Sequence, residues 1–68
     1  MDDAKEITIR FIWENHVIFE NHDIYEENVD AEEDVEEFIR RVNWTFGYEY
    51  DLDWDWKADD RIDIWVKG

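Results

Sequence analysis

From Trp44 to Trp56 the chain alternates without a break, with Trp44, Phe46, Tyr48, Tyr50, Leu52, Trp54 and Trp56 on one side and Thr45, Gly47, Glu49, Asp51, Asp53 and Asp55 on the other. A period of two is the period of a β-strand, so the segment predicts a strand with one aromatic and one acidic face. An aromatic face of that size requires an apolar layer to cover it. At about 3.4 Å per residue the strand would run to about 44 Å, long for a small domain. A bend or bulge is therefore expected at Gly47, or an overhang used by a partner subunit.

The remaining elements follow from the same test. Ile7, Ile9, Phe11 and Trp13 alternate with Thr8, Arg10 and Ile12, which predicts a strand over about 5 to 13. Val17, Ile18 and Phe19, followed by Ile24 and Tyr25, predict a second strand returning through a turn near Asn15 and His16, with a bulge around Asn21 to Asp23. Ala31, Val35, Phe38, Ile39 and Val42 fall on one stripe of a 3.6-residue period, so a helix is expected from Asp30, with Asp30 as cap and Glu33 completing a capping box. Glu36 with Arg40 and Glu37 with Arg41 are oriented to form i,i+4 pairs, and the arginines suit the last turn. A turn at Ala58-Asp59-Asp60 would then set Ile62, Ile64 and Val66 beside Trp56, Trp54 and Leu52. The expected fold is α+β, in the order ββαββ, as one antiparallel sheet of two hairpins with the helix on its apolar face, in a single domain spanning 1–68.

Composition narrows what such a domain can do. The 68 residues carry 21 Asp and Glu against 7 Lys and Arg, a formal charge of −14, which repels nucleic-acid phosphates and anionic membranes. No cysteine is present, so neither a disulfide nor a thiolate metal cluster is available to staple the fold. With no proline and only two glycines, no linker divides the chain. A chain this short has little room to enclose a substrate cavity, and an enzyme is not expected. The opening residues lack the basic and apolar regions of a secretory signal, and no apolar run approaches the roughly 20 residues of a membrane span, so a soluble cytoplasmic protein is expected.

Three catalytic or metal-binding readings carry little weight. Asp51, Asp53 and Asp55 match the opening of a calcium loop, yet the position that needs Gly is Trp56 and the one that needs a bidentate Glu is Ile62. On an extended strand their carboxylates would also stand about 7 Å apart, too far to converge on one cation. His16 and His22 fit no tight metal-ligand spacing and are expected on a turn or surface. Acid–base catalysis needs one carboxyl set apart from the rest, and none is marked out. No metal or other cofactor is expected.

What stands out is the arrangement of the acids. Residues 20 to 37 contain Glu20, Asp23, Glu26, Glu27, Asp30, Glu32, Glu33, Asp34, Glu36 and Glu37 without one Lys or Arg, and Glu49, Asp51, Asp53, Asp55, Asp59, Asp60 and Asp63 form a second group. Both groups lie in segments whose periodicity says they fold, so the charges are held in fixed positions. Helix N-termini favour acids for their own stability, which accounts for part of the first group. Adjacent aspartates on a strand are harder to explain, because they repel and Asp is a poor strand former. Asp51, Asp53 and Asp55 are therefore the first candidates for partner binding, followed by Glu26, Glu27, Glu32 and Glu33.

In size, acidity and charge pattern the chain resembles the small acidic DNA-mimic inhibitors made by bacteriophages, among them the inhibitors of the nucleoid protein HU. These mimics share no sequence motif, so no residue role transfers. The resemblance implies a basic DNA-binding protein of a bacterial host as partner, and competitive blocking of its DNA site. The competing reading is an acidic, salt-adapted or designed small domain with no specific partner. Trp65, Ile12 and Ile18 are expected opposite the core as an apolar patch, and a homodimer through that patch or through sheet edges is compatible with mimicry.

Overall fold

A computed structural model describes residues 4–67. The elements are β1 (Lys5–Trp13), β2 (His16–Tyr25), α1 (Asn28–Thr45), β3 (Leu52–Ala58) and β4 (Arg61–Val66), so the ββαββ order and the α+β class hold. The four strands form one sheet in the order β2-β1-β4-β3. Both hairpins are antiparallel, but β1 and β4 pair in parallel, which corrects the expectation of a purely antiparallel sheet. The cause is the crossover. One helix between the hairpins carries the chain back to the end where β2 began, so β3 starts in the same direction as β2, and β1 and β4 must run alike.

The central strands are the most apolar. Ile7, Ile62 and Ile64 are fully buried, with Ile9 and Phe11 nearly so, and against them α1 sets Ala31 and Val35. Register places Ile62, Ile64 and Val66 opposite Trp56, Trp54 and Leu52, the pairing the alternation predicts. An aromatic chain ties the end of α1 to the sheet: Phe19 stacks on Phe38 at 5.3 Å, Phe38 meets Phe11 at 5.4 Å, and Tyr50 meets Trp13 at 4.6 Å. Among the described residues no helix is long and apolar enough to cross a membrane.

The long alternating segment is where sequence and structure part. Its first residues belong to α1, and only Leu52–Ala58 is strand. Gly47 does mark a change of direction, but as the residue after a helix. Its N–H donates to the Trp44 carbonyl and that of Tyr48 to the Asn43 carbonyl at 2.8 Å, the paired bonds of a Schellman stop, with Gly47 at φ +62°. The start of the helix also differs. Glu27, in extended conformation, is the N-cap and makes no side-chain cap bond, so the Asp30–Glu33 box does not form. Because α1 continues to Thr45, Arg40 and Arg41 lie inside it and its last turn holds no base. Of the two helix pairs only Glu37–Arg41 closes, at 2.9 Å.

The first turn of the sheet lies one residue earlier than expected and the second is one residue shorter. Glu14 (φ 50°) and Asn15 (φ 68°) form the two-residue β1–β2 turn, both in the left-handed region that a type I′ turn needs. The bulge of β2 falls at Ile18, since Phe11 pairs with Phe19 and Ile12 with Val17, and not at Asn21 to Asp23. On the second hairpin Ala58 pairs with Arg61, leaving Asp59 and Asp60 as the turn and Lys57 as the extra residue.

Candidate functional site

The face of the sheet away from α1 is crossed by a row of charges. Register aligns Asp55, Asp63, Arg10 and Glu20 on neighbouring strands. Asp63 is buried, 5% exposed, and receives both Arg10 Nε at 3.1 Å and Arg10 Nη2 at 3.2 Å. Arg61 Nε approaches the same carboxylate at 3.4 Å without hydrogen-bond geometry. The Asp63 bond raises the Arg10 pKa above its ordinary value. This clamp cancels the charge of Asp63 and removes it from the acidic surface. Its neighbours in the next row are apolar: Trp65 pairs with Ile12 as expected, and Ile12 with Val17, the expected Ile18 being the bulge residue. Lys57 Nζ lies 4.9 Å above the Trp65 ring.

Asp53 and Asp55 project from β3 on this same face, because Trp54 and Trp56 between them turn toward the core. Each carboxylate accepts the N–H of the next residue, Trp54 and Trp56 respectively, at 2.8 Å. β3 is an edge strand, and the ladder explains why those amides are free. Thr8 donates to Asp60 across the parallel pair and Lys67 to the Asp51 carbonyl, so the odd residues of β3 face β4 and the even ones face outward. On the opposite edge, Asp23 takes the N–H of Ile24 in the same way at 2.8 Å. The three aspartates thus satisfy edge amides that would otherwise invite another strand. Asp51 stands exposed just before β3 and its carbonyl, not its carboxylate, joins the ladder.

The other candidates lie on the far side of the sheet. Glu26 and Glu27 are exposed between β2 and α1, and Glu33 is exposed in the first half of α1 beside Asp34, Glu36, Glu37 and Arg40 around a shallow depression. Glu32 is half-buried and accepts the Trp56 indole N–H at 2.7 Å, joining α1 to β3. Asp34 accepts the Tyr25 hydroxyl at 2.5 Å, joining α1 to β2. Burial, and then this bond, push the Tyr25 phenol above its ordinary range. The structure therefore does not gather the seven candidates into one cluster: Asp51, Asp53 and Asp55 belong to the β3 edge, and Glu26, Glu27, Glu32 and Glu33 to the helix side.

Sequence reasoning missed the donors. A Trp or Tyr counted as core gave no sign that its polar atom reaches back to a helix carboxylate, although buried Trp and Tyr seek such partners. His22 Nδ1 lies 2.9 Å from Thr8 Oγ1 and its Nε2 2.7 Å from Glu20 Oε2. Among the described residues no group of three or more His, Asp or Glu is placed to hold a metal ion. No protein-family model, curated protein or solved structure matches the chain.

Proposed function

We propose that the protein is a DNA mimic that occupies the basic DNA-binding surface of a bacterial protein, in the host cytoplasm, and blocks DNA by competition. One observation carries this reading: its carboxylates are pinned by neutral donors. Asp23, Asp53 and Asp55 are held by backbone amides, Glu32 by an indole and Asp34 by a phenol, so each is fixed in place with its charge intact. Four of the bases are spent elsewhere, Arg10 and Arg61 on Asp63, Lys5 on the Asp59 carbonyl and Lys57 over Trp65, while Arg41 pairs with Glu37 on α1.

Spacing supports the same conclusion. From Asp30 to Glu37, α1 carries six carboxylates in eight residues, and at about 1.5 Å rise per residue that is roughly one charge per 2 Å. Duplex DNA presents one per about 1.7 Å of its axis. A partner built to meet that density with Lys and Arg would meet it here, with fast association and steep loss of affinity in salt.

The second reading, an acidic domain with no specific partner, is favoured by the edge amides that Asp23, Asp53 and Asp55 satisfy, since these acids then have structural work. A displacement assay separates the two. Labelled duplex bound to a nucleoid protein of the HU type is titrated with the protein at low salt, alongside an E26Q/E27Q/E33Q/E36Q variant and a D51N/D53N/D55N variant. Mimicry requires displacement that weakens with salt and falls by about tenfold or more in at least one variant. Absence of displacement from a panel of basic DNA-binding proteins sinks mimicry and leaves the acids to solubility and edge protection.

A further inference from the structure

The two edges of the sheet are unequally protected. On β3 the outward amides of Trp54 and Trp56 are both taken by aspartates. On β2 only the Ile24 amide is taken, by Asp23, and the bulge at Ile18 interrupts the edge at the other end. Between them lies a regular stretch, 19 to 23, with the backbone groups of Glu20 and His22 turned outward. That direction follows from the ladder, because Thr8 spends its N–H on Asp60 and so the odd residues of β1 and β2 pair with each other. The helix touches this stretch through Phe38 on Phe19 but does not cover it: Phe19 is 44% exposed, and residues 20 to 23 are exposed throughout.

We propose that this stretch of β2 pairs antiparallel with the same stretch of a second copy, about a two-fold axis through Asn21. The axis follows from the window, since Asn21 is its midpoint and only that register uses all of it. The facing side chains select the same register, adding a second-copy partner to the Glu20–His22 contact of 2.7 Å made within each copy. This register sets Glu20 opposite His22 of the second copy, twice by symmetry, whereas a shift one way sets Glu20 against its own copy and a shift the other way sets it against an apolar Ile24 whose amide is already taken. A half-step shift would put side chains on the wrong faces. The pairing is short, so the dimer is weak and reversible, and salt strengthens it by screening two copies of charge −14. It joins two sheets into one and would present two α1 acidic surfaces related by symmetry.

The absence of cysteine makes a direct test available. In this register Asn21 faces its own copy as a non-hydrogen-bonded pair, with Cα atoms about 4.5 Å apart, within disulfide range. Mild oxidation of Asn21→Cys is expected to give a covalent dimer of twice 8.5 kDa, while Asp51→Cys, exposed beside the protected edge and holding no edge amide with its side chain, stays largely monomeric at the same concentration. Sedimentation of the parent at about 100 μM should show a dimer that grows with salt. His22→Glu should weaken it about tenfold and the E20H/H22E exchange should restore it. Cross-linking of Asn21→Cys no faster than Asp51→Cys, or a parent that remains 8.5 kDa in high salt, overturns the proposal. Neither result bears on mimicry: a dimer that displaces no DNA keeps this inference, and a monomer that displaces it keeps the other.

Discussion

Asp63 is the residue on which the open face of the sheet turns. Its carboxylate is buried and shared by Arg10 and Arg61, so removing its charge leaves two guanidinium groups facing each other. Asp63→Asn is expected to cost about 2 kcal/mol in urea denaturation, below the usual cost of breaking a fully buried pair because Arg10 retains some exposure. Tyr25 sets a second test. Its phenol is held neutral in the fold by burial and by Asp34, with a pKa raised above the unfolded value of about 10. A raised folded pKa means that this contribution is complete below pH 10 and is lost as pH rises toward the folded value. Tyr25→Phe should therefore cost about 1–2 kcal/mol at pH 7, and the gap between parent and variant should narrow in denaturation curves taken above pH 10. Neither role was legible in the sequence. Asp63 read as one more acid in an acidic group, since only the parallel register sets Arg10 beside it.

At the scale of elements, the strands and the helix were legible and their ends were not. β1 came out at its expected bounds because alternation and burial coincide over its whole length. The segment from Trp44 onward misled because Trp44 and Phe46 fit a strand by period while Asn43 to Tyr48 close a helix by hydrogen bonding. The acids of β3 were singled out as hard to explain on a strand, and the edge amides supply the explanation. If that explanation holds, the D53A/D55A variant keeps its circular dichroism spectrum but self-associates through β3, seen as higher-order species by light scattering at concentrations where the parent scatters little. The β1–β2 turn gives a prediction of opposite sign. Glu14 and Asn15 both hold left-handed backbone, so the E14N/N15G variant, which suits a type I′ turn, should gain about 1 kcal/mol in thermal or urea unfolding.

For the molecule as a whole, charge and topology set the remaining expectations. A formal charge of −14 on 68 residues works against the compact state, so stability should rise as salt is raised from low to moderate concentration. Unfolding midpoints at a series of salt concentrations check this, and a midpoint that falls would show the Arg10–Asp63 clamp and Glu37–Arg41 outweighing the general repulsion. Net charge was legible at once, and alternation with the helix on the apolar face already set the strand acids and the helix acids on opposite sides; the place of β3 at a sheet edge depended on strand order, which alternation does not encode. That order, β2-β1-β4-β3, also governs how the chain arrives at its fold. The central parallel pair joins Ile9 to Ile62 and Phe11 to Ile64, so the core cannot close until nearly the whole described chain has been gathered, and the entropy of that closure precedes its reward. Each hairpin alone would be marginal. Refolding should thus follow a single exponential on a millisecond or slower scale, with no stable half-molecule along the way, and a ribosome releasing this chain would hold it unfolded until β4 emerged.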